Sequence, residues 1–168
     1  MDEINCLREF EQLIDKSPRL GWDSWHMLHA LITKLRSPSD RLKVGCVCVR
    51  DRRIISTGYN GFLPGAEHTP MMRNGHEQNT VHAEQNMVAD CASRGVSIRG
   101  AIAYVTHYPC INCTKMLTAS HITEVKYWKD YRNDPIAAKM FEEAGITVTK
   151  MCPGDDEPDD NEDVTTVE

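Results

Sequence analysis

The sequence predicts an α/β protein of three layers, α-β-α, in which a mixed five-stranded sheet carries helices on both faces. Three observations predict it. Apolar residues fall into segments of helical and strand period whose order along the chain is α-β-β-α-β-α-β-α-β. The first two strands are separated only by a short turn and so pair antiparallel, whereas the last three are joined through helices and so run parallel. The length, 168 residues, suits one domain with a single substantial core.

Each element has its own signal. Ile4, Leu7, Phe10, Leu13 and Ile14 recur at helical spacing and predict a short amphipathic helix in an N-terminal extension, residues 1–21. Its apolar face must pack on the body or on another subunit. The domain proper is expected over residues 22–152. It opens with a helix from Trp22 to Arg36, capped by Asp23 or Ser24 and ended before Ser37-Pro38. Lys43 to Val49 alternates as a strand, Asp51-Arg52-Arg53 turns, and Ile54 to Gly58 returns as its partner, with Cys46 and Cys48 expected on alternating faces. Gly58-Tyr59-Asn60-Gly61 then begins a polar loop through Thr80, longer than a simple connection needs. A helix from Val81 to Arg94 stops at Gly95, and Ala101 to Thr106 is a buried strand. The next helix starts near Cys110 and reaches Ser120, with Pro109 placed in its first turn, and Glu124 to Trp128 forms the fourth strand. Asp134-Pro135 starts a last helix that ends at Gly145, and Ile146 to Lys150 completes the sheet.

The net charge of −6 is unevenly spread. Residues 153–168 carry eight acidic side chains and no Lys or Arg, which leaves 19 basic against 17 acidic side chains in the rest, a balance of +2. That segment has the composition of a solvated, disordered tail. It would repel nucleic acid, and the body shows no basic stripe to offset it, so no nucleic-acid partner is expected. No apolar run approaches the roughly 18 residues of a membrane span, so no membrane association is expected. Seven cysteines, an odd number, and no signal peptide predict a reducing compartment, the cytoplasm.

The chemistry sits in two stretches, His82-Ala83-Glu84 and Pro109-Cys110-Ile111-Asn112-Cys113, with His82 and Cys110 separated by 28 residues. Two thiolates and an imidazole are three protein ligands for Zn²⁺, which leaves a fourth tetrahedral position open for water and marks a catalytic site. Cys110 and Cys113, at i and i+3, share one face of a helix. His82 and Glu84, at i and i+2, point about 200° apart around a helix axis, so both reach one metal only if it lies beyond the helix N-terminus. The metal is therefore expected between two helix N-termini, whose positive ends partly restore the Lewis acidity that two thiolates remove. His68 and His76, in the long loop, are weaker candidates for a second metal.

These stretches, with Val44-Gly45, Gly58-Tyr59-Asn60-Gly61, Gln85-Asn86, Thr106-His107-Tyr108, Thr114-Lys115 and Asp130-Tyr131-Arg132, resemble the deoxycytidylate (dCMP) deaminases of the zinc-dependent cytidine deaminase superfamily over roughly residues 22–151. The resemblance implies the cytidine deaminase-like fold and one catalytic Zn²⁺ per subunit on His82, Cys110 and Cys113. It implies that activated water attacks C4 of the cytosine ring of dCMP, and that Glu84 takes the proton from the water, delivers it to N3 and helps ammonia leave. Asn60 matches a position that hydrogen-bonds the sugar, and Tyr131, Arg132 and, more distantly, Arg41 are candidates for holding the substrate, the two arginines at its phosphate. It also implies a homo-oligomer, with a hexamer favoured, activated by dCTP with Mg²⁺ and inhibited by dTTP. Gly58, Tyr59, Gly61 and Gly65 are the candidates for that regulation, since glycine permits close backbone approach to phosphates. A tRNA adenosine deaminase or other polynucleotide deaminase shares the zinc motif but calls for a basic surface that this chain lacks. An inactive zinc module is disfavoured by Glu84, which a structural site does not need.

Overall fold

The structure, a computed structural model, describes residues 3–151 except Gly75, with only the backbone of His76. The acidic segment 153–168 and the side chain of His76 lie outside the described residues. Five strands form the main sheet in the order β2-β1-β7-β8-β9: β1 is Gly45–Arg50, β2 Arg53–Tyr59, β7 Ile102–His107, β8 Glu124–Lys129 and β9 Thr147–Lys150. As expected, β1 pairs antiparallel with β2 and β7 through β9 run parallel, joined by helices α4 (Ile111–Ala119) and α5 (Pro135–Glu143). The hairpin turn is two residues, Asp51 and Arg52, both left-handed at φ 53° and 58°, the geometry that matches strand twist in a tight hairpin.

The sheet has two cores because side chains alternate across it. Val47, Val49 and Tyr104 meet Met27 and Ala30 of helix α2 (Trp22–Thr33) on one face. Cys46, Cys48, Ala103, Val105 and Val125 meet α3 (Ala83–Ser93), α4 and α5 on the other. Cys46 and Cys48 thus share one face, contrary to the expectation of alternation, since residues two apart in a strand point the same way. One glycine admits a helix on each side. A Cβ on Gly45 would lie 2.1 Å from the carbonyl oxygen of Ala30 in α2, and one on Gly58 would lie 2.1 Å from that of Ala83 in α3.

Other expectations are corrected in detail. Helix α2 is preceded by Gly21 and has no side-chain cap, because the Asp23 carboxylate instead takes the Tyr104 hydroxyl at 2.6 Å and the Lys126 ammonium. Those partners lie 81 and 103 residues along the chain. The loop after β2 is not structureless: β3 (Gly61–Phe62) pairs with β6 (Thr80–Val81), and β4 (Met72–Arg73) with β5 (His76–Glu77). Helix α1 (Glu3–Ile14) forms as expected, but none of its residues is buried, and Ile4, Leu7, Leu13 and Ile14 stay exposed. No helix among the described residues is long and apolar enough to cross a membrane.

Candidate active site

His82 and Cys110 are the N-cap residues of α3 and α4, both with extended backbone (φ −71°, ψ 158° and φ −73°, ψ 167°). Pro109 therefore precedes the cap and does not enter the first turn. The His82 amide donates to Gln85 Oε1 at 3.0 Å, which fixes the start of α3. Across the gap between the two helix ends, His82 Nδ1 lies 3.5 Å from Cys110 Sγ and 3.4 Å from Cys113 Sγ. All three ligand atoms fall within 4.8 Å of one another. Tetrahedral zinc with bonds of about 2.0–2.1 Å to nitrogen and about 2.3 Å to sulfur sets nitrogen and sulfur about 3.6 Å apart, so the donor set fits the metal in kind and in spacing.

The electrostatics agree. A hydrogen bond from Cys113, aided by His82, draws the Cys110 thiol down to about 3, whereas that same contact and burial push Cys113 far up. The hydrogen bond to Cys110 raises the His82 imidazole. Three groups compete here for protons that a divalent cation would displace. Glu84 follows in the first turn of α3, is only 4% exposed, and is not one of the ligand set. Burial raises its carboxyl above the ordinary value, with the backbone amide and His82 pulling the other way. A carboxyl raised by burial and pulled back by its neighbours is suited to accept a proton and return it.

His82, Glu84 and Cys110 open into one cavity of about 740 Å³, also lined by Arg41, Asn60, Gly61, Tyr131 and Arg132. The sequence candidates for ligands, proton shuttle and substrate contacts are thereby brought together, while Tyr59, Gly58 and Gly65 lie off the cavity wall. Gly58 is corrected as a phosphate-approach position, because the backbone of α3 fills the space its missing side chain leaves. Gly65, at φ 78°, sits in an exposed turn with nothing beside it. The Tyr59 carbonyl accepts from Asn86 Nδ2 at 2.7 Å. Asn60 is largely committed to the protein. Its Oδ1 accepts from Val44 N at 2.7 Å and Ser37 Oγ at 2.8 Å, and its Nδ2 donates to Leu42 O at 2.8 Å, which leaves one amide N–H for a ligand.

Sequence reasoning did not assign a role to His107 or Phe62, which also line the cavity, as does His68, the weaker candidate for a second metal. His107 ends β7, where strand ends line the crevice of an open α/β sheet, and that position was the available signal. Its ring stands edge-on to Tyr131 with centroids 6.0 Å apart, and Nδ1 lies 2.9 Å from Thr106 Oγ1. His68 stacks on Phe62 with centroids 5.1 Å apart. Among the described residues, the group suited to a metal is His82, Cys110 and Cys113.

Comparison with known proteins matches this arrangement. Residues 20–129 fit the model of the cytidine and deoxycytidylate deaminase zinc-binding region. The chain is 41% identical to ComE operon protein 2 of Bacillus subtilis over 137 residues, 79% of this chain and 72% of that one. It is 32% identical to the deoxycytidylate deaminase of Saccharomyces cerevisiae over 162 residues, 89% of this chain, but spans only 51% of that relative's length. The dCMP deaminase of cyanophage S-TIM5, solved in complex with dCMP and dUMP, superposes with a TM-score of 0.69 at 31% identity, covering 76% of this chain and 95% of that one. A His/Cys/Cys set at two helix ends, a buried carboxyl beside it, and a family match that spans both motifs lead to one conclusion: the chain belongs to the zinc-dependent cytidine and deoxycytidylate deaminase family.

Proposed function

We propose that this protein hydrolyses dCMP to dUMP and ammonia, with one catalytic Zn²⁺ per subunit. The observation that carries this reading is the convergence of His82, Cys110, buried Glu84 and the guanidinium-bearing residues Arg41 and Arg132 on a single cavity, with Cys113 completing the ligand set behind it. When bound, the metal supplies a Lewis acid with one open position at which a water is activated. Glu84 takes the proton of that water, protonates N3 of the cytosine ring as oxygen adds to C4, and then helps the C4 amine leave as ammonia. The one free N–H of Asn60 meets the sugar, and Tyr131 walls the ring. Arg132, with Arg41 on the same cavity, meets the phosphate. Asp40 and Glu77 also line the cavity, but Glu77 is spent on the backbone amides of Asn79 and Thr80 at 2.9 and 2.8 Å.

The same reading extends to regulation. In it the protein works as a homohexamer that feeds thymidylate synthesis, activated by dCTP with Mg²⁺ and inhibited by dTTP, with Gly61 and the 58–80 segment coupling effector to cavity. Its support is the family resemblance, together with Gly61 on the cavity wall.

The test is an ultraviolet assay of the zinc-loaded protein with dCMP, deoxycytidine, dCTP and a tRNA anticodon stem. Turnover of dCMP in clear excess over the others is the expected result, and turnover of the RNA alone would overturn it. dCMP saturation curves with and without the two effectors, alongside sedimentation, test the regulatory part. A hyperbolic curve unmoved by either nucleotide, in a species no larger than a dimer, would remove it.

A further inference from the structure

Arg132 has a left-handed backbone, φ 47°, a conformation unfavourable for any residue with a Cβ. Such a residue persists only where its neighbours over-determine the chain, and here they do. Asn133 Oδ1 accepts from the Tyr131 amide at 3.0 Å, and Asn133 Nδ2 donates to Asp130 Oδ1 at 2.7 Å. Asp130 is in turn tied to the sheet, because it accepts from the Tyr127 hydroxyl of β8 at 3.2 Å and pairs with Lys150 of β9. One residue further on, Asp134 accepts from Ile136 N at 2.8 Å and caps α5. Both sides of Arg132 are thereby fixed, to the neighbouring strands β8 and β9 and to a helix.

The consequence of that bracing is an available cation. The guanidinium of Arg132 lies 5.7 Å from the centroid of the Tyr131 ring, and no carboxylate partner is recorded for it among the described residues. Tyr131 and Arg132 line the cavity, whereas Asn133 does not. A guanidinium laid on an aromatic face keeps its N–H fork free for an anion.

We propose that Asn133 is a positioning residue for substrate selection. By bridging the Tyr131 amide to the Asp130 carboxylate it holds Arg132 in the left-handed conformation that presents the guanidinium to a substrate phosphate. The inference rests on the dCMP reading and deepens it: the preference for a phosphorylated substrate is set by a side chain that never touches the substrate.

The test compares wild type, Arg132→Ala, Asn133→Ala and the double variant on dCMP and on deoxycytidine. Arg132→Ala is expected to lower the preference for dCMP by roughly tenfold or more, the usual worth of one charge-assisted contact. Asn133→Ala is expected to lose most of the same preference through KM, with kcat and deoxycytidine turnover held within about twofold. The double variant is expected to match Arg132→Ala alone, because Asn133 acts through Arg132. Should Asn133→Ala fail to fold, Asn133→Asp keeps the acceptor for the Tyr131 amide while repelling Asp130, and is expected to lose the dCMP preference in the same way. Asn133 variants that keep the full dCMP preference, lose both substrates alike, or add to Arg132→Ala overturn the inference alone. A wild type indifferent between dCMP and deoxycytidine overturns the phosphate reading beneath it.

Discussion

The two ends of the cavity are built by different means. At one end the chemical groups hang on helix starts: His82 and Cys110 cap α3 and α4, and Cys113 and Glu84 sit in their first turns, Glu84 and Cys113 buried against the sheet. At the other end the exposed cations come from the loops at 37–44 and 130–134, whose backbone is held by amide and carboxylate contacts of Asn60 and Asn133. Helix starts packed on a core fix atoms to the backbone of the fold. Loops fix them only as well as a few hydrogen bonds allow. The proposed function thus ties chemistry to the core and selection to the rim.

The strongest test of that division is Glu84→Gln. It is expected to cut kcat about 10²- to 10⁴-fold, the usual worth of a general acid/base, while zinc content by metal analysis stays near one per subunit. Zinc loss in this variant together with retention in Cys110→Ala would reverse the roles.

A pair of glycine variants sharpens the comparison through stability. Gly58→Ala drives a Cβ into the backbone of α3 and is expected to cost on the order of 3 kcal/mol in urea unfolding, since the helix must shift away from β2. Gly65→Ala, in open space, meets only the strain of positive φ, about 1 kcal/mol. Equal effects would mean that α3 is not seated by the strand glycine.

The smallest effect is expected on the far face of the sheet. Burial pushes the Asp23 carboxyl up, but the hydrogen bonds from Lys126 and Tyr104 outweigh it and hold the group below its ordinary value. A carboxyl depressed in the fold stabilises above its unfolded value, near pH 4, and that contribution fades as pH falls through the folded value. Asp23→Asn should therefore lower stability by about 1 kcal/mol at pH 7, with the gap to wild type closing in acid. Unfolding curves from pH 7 to 3 measure this, and dCMP turnover at pH 7 should not move.

What the sequence disclosed follows the same division. The five sheet strands and the helices between them were legible because each carries its own period and stop, such as Gly95 and Gly145, both left-handed in the structure. The ligands and Glu84 were legible because spacing along a helix start is local information. The cap expected from Asp23 failed because its partners, Tyr104 and Lys126, are distant in sequence. The paired segments between Gly61 and Val81 were missed because two-residue ladders are too short to show alternation. That Leu42, Val44 and Ser37 claim most of the Asn60 amide, leaving one N–H, was not legible, because nothing in its local sequence reveals those partners.

The arrangement of ligands also implies an order of events as the chain folds. β1 and β2 close on each other locally, and β7 through β9 form a run of neighbouring parallel units, but β1 must also find β7, with Cys46 opposite Val105. His82 belongs to the helix laid on the first half, and the two thiols belong to the first helix of the second. Closure between the halves is the long-range step, and long-range steps are slow. Until that closure the imidazole and the thiol pair sit on separate halves. The imidazole joins when the halves dock, so capture of the ion by all three ligands comes late and fastens the seam between them.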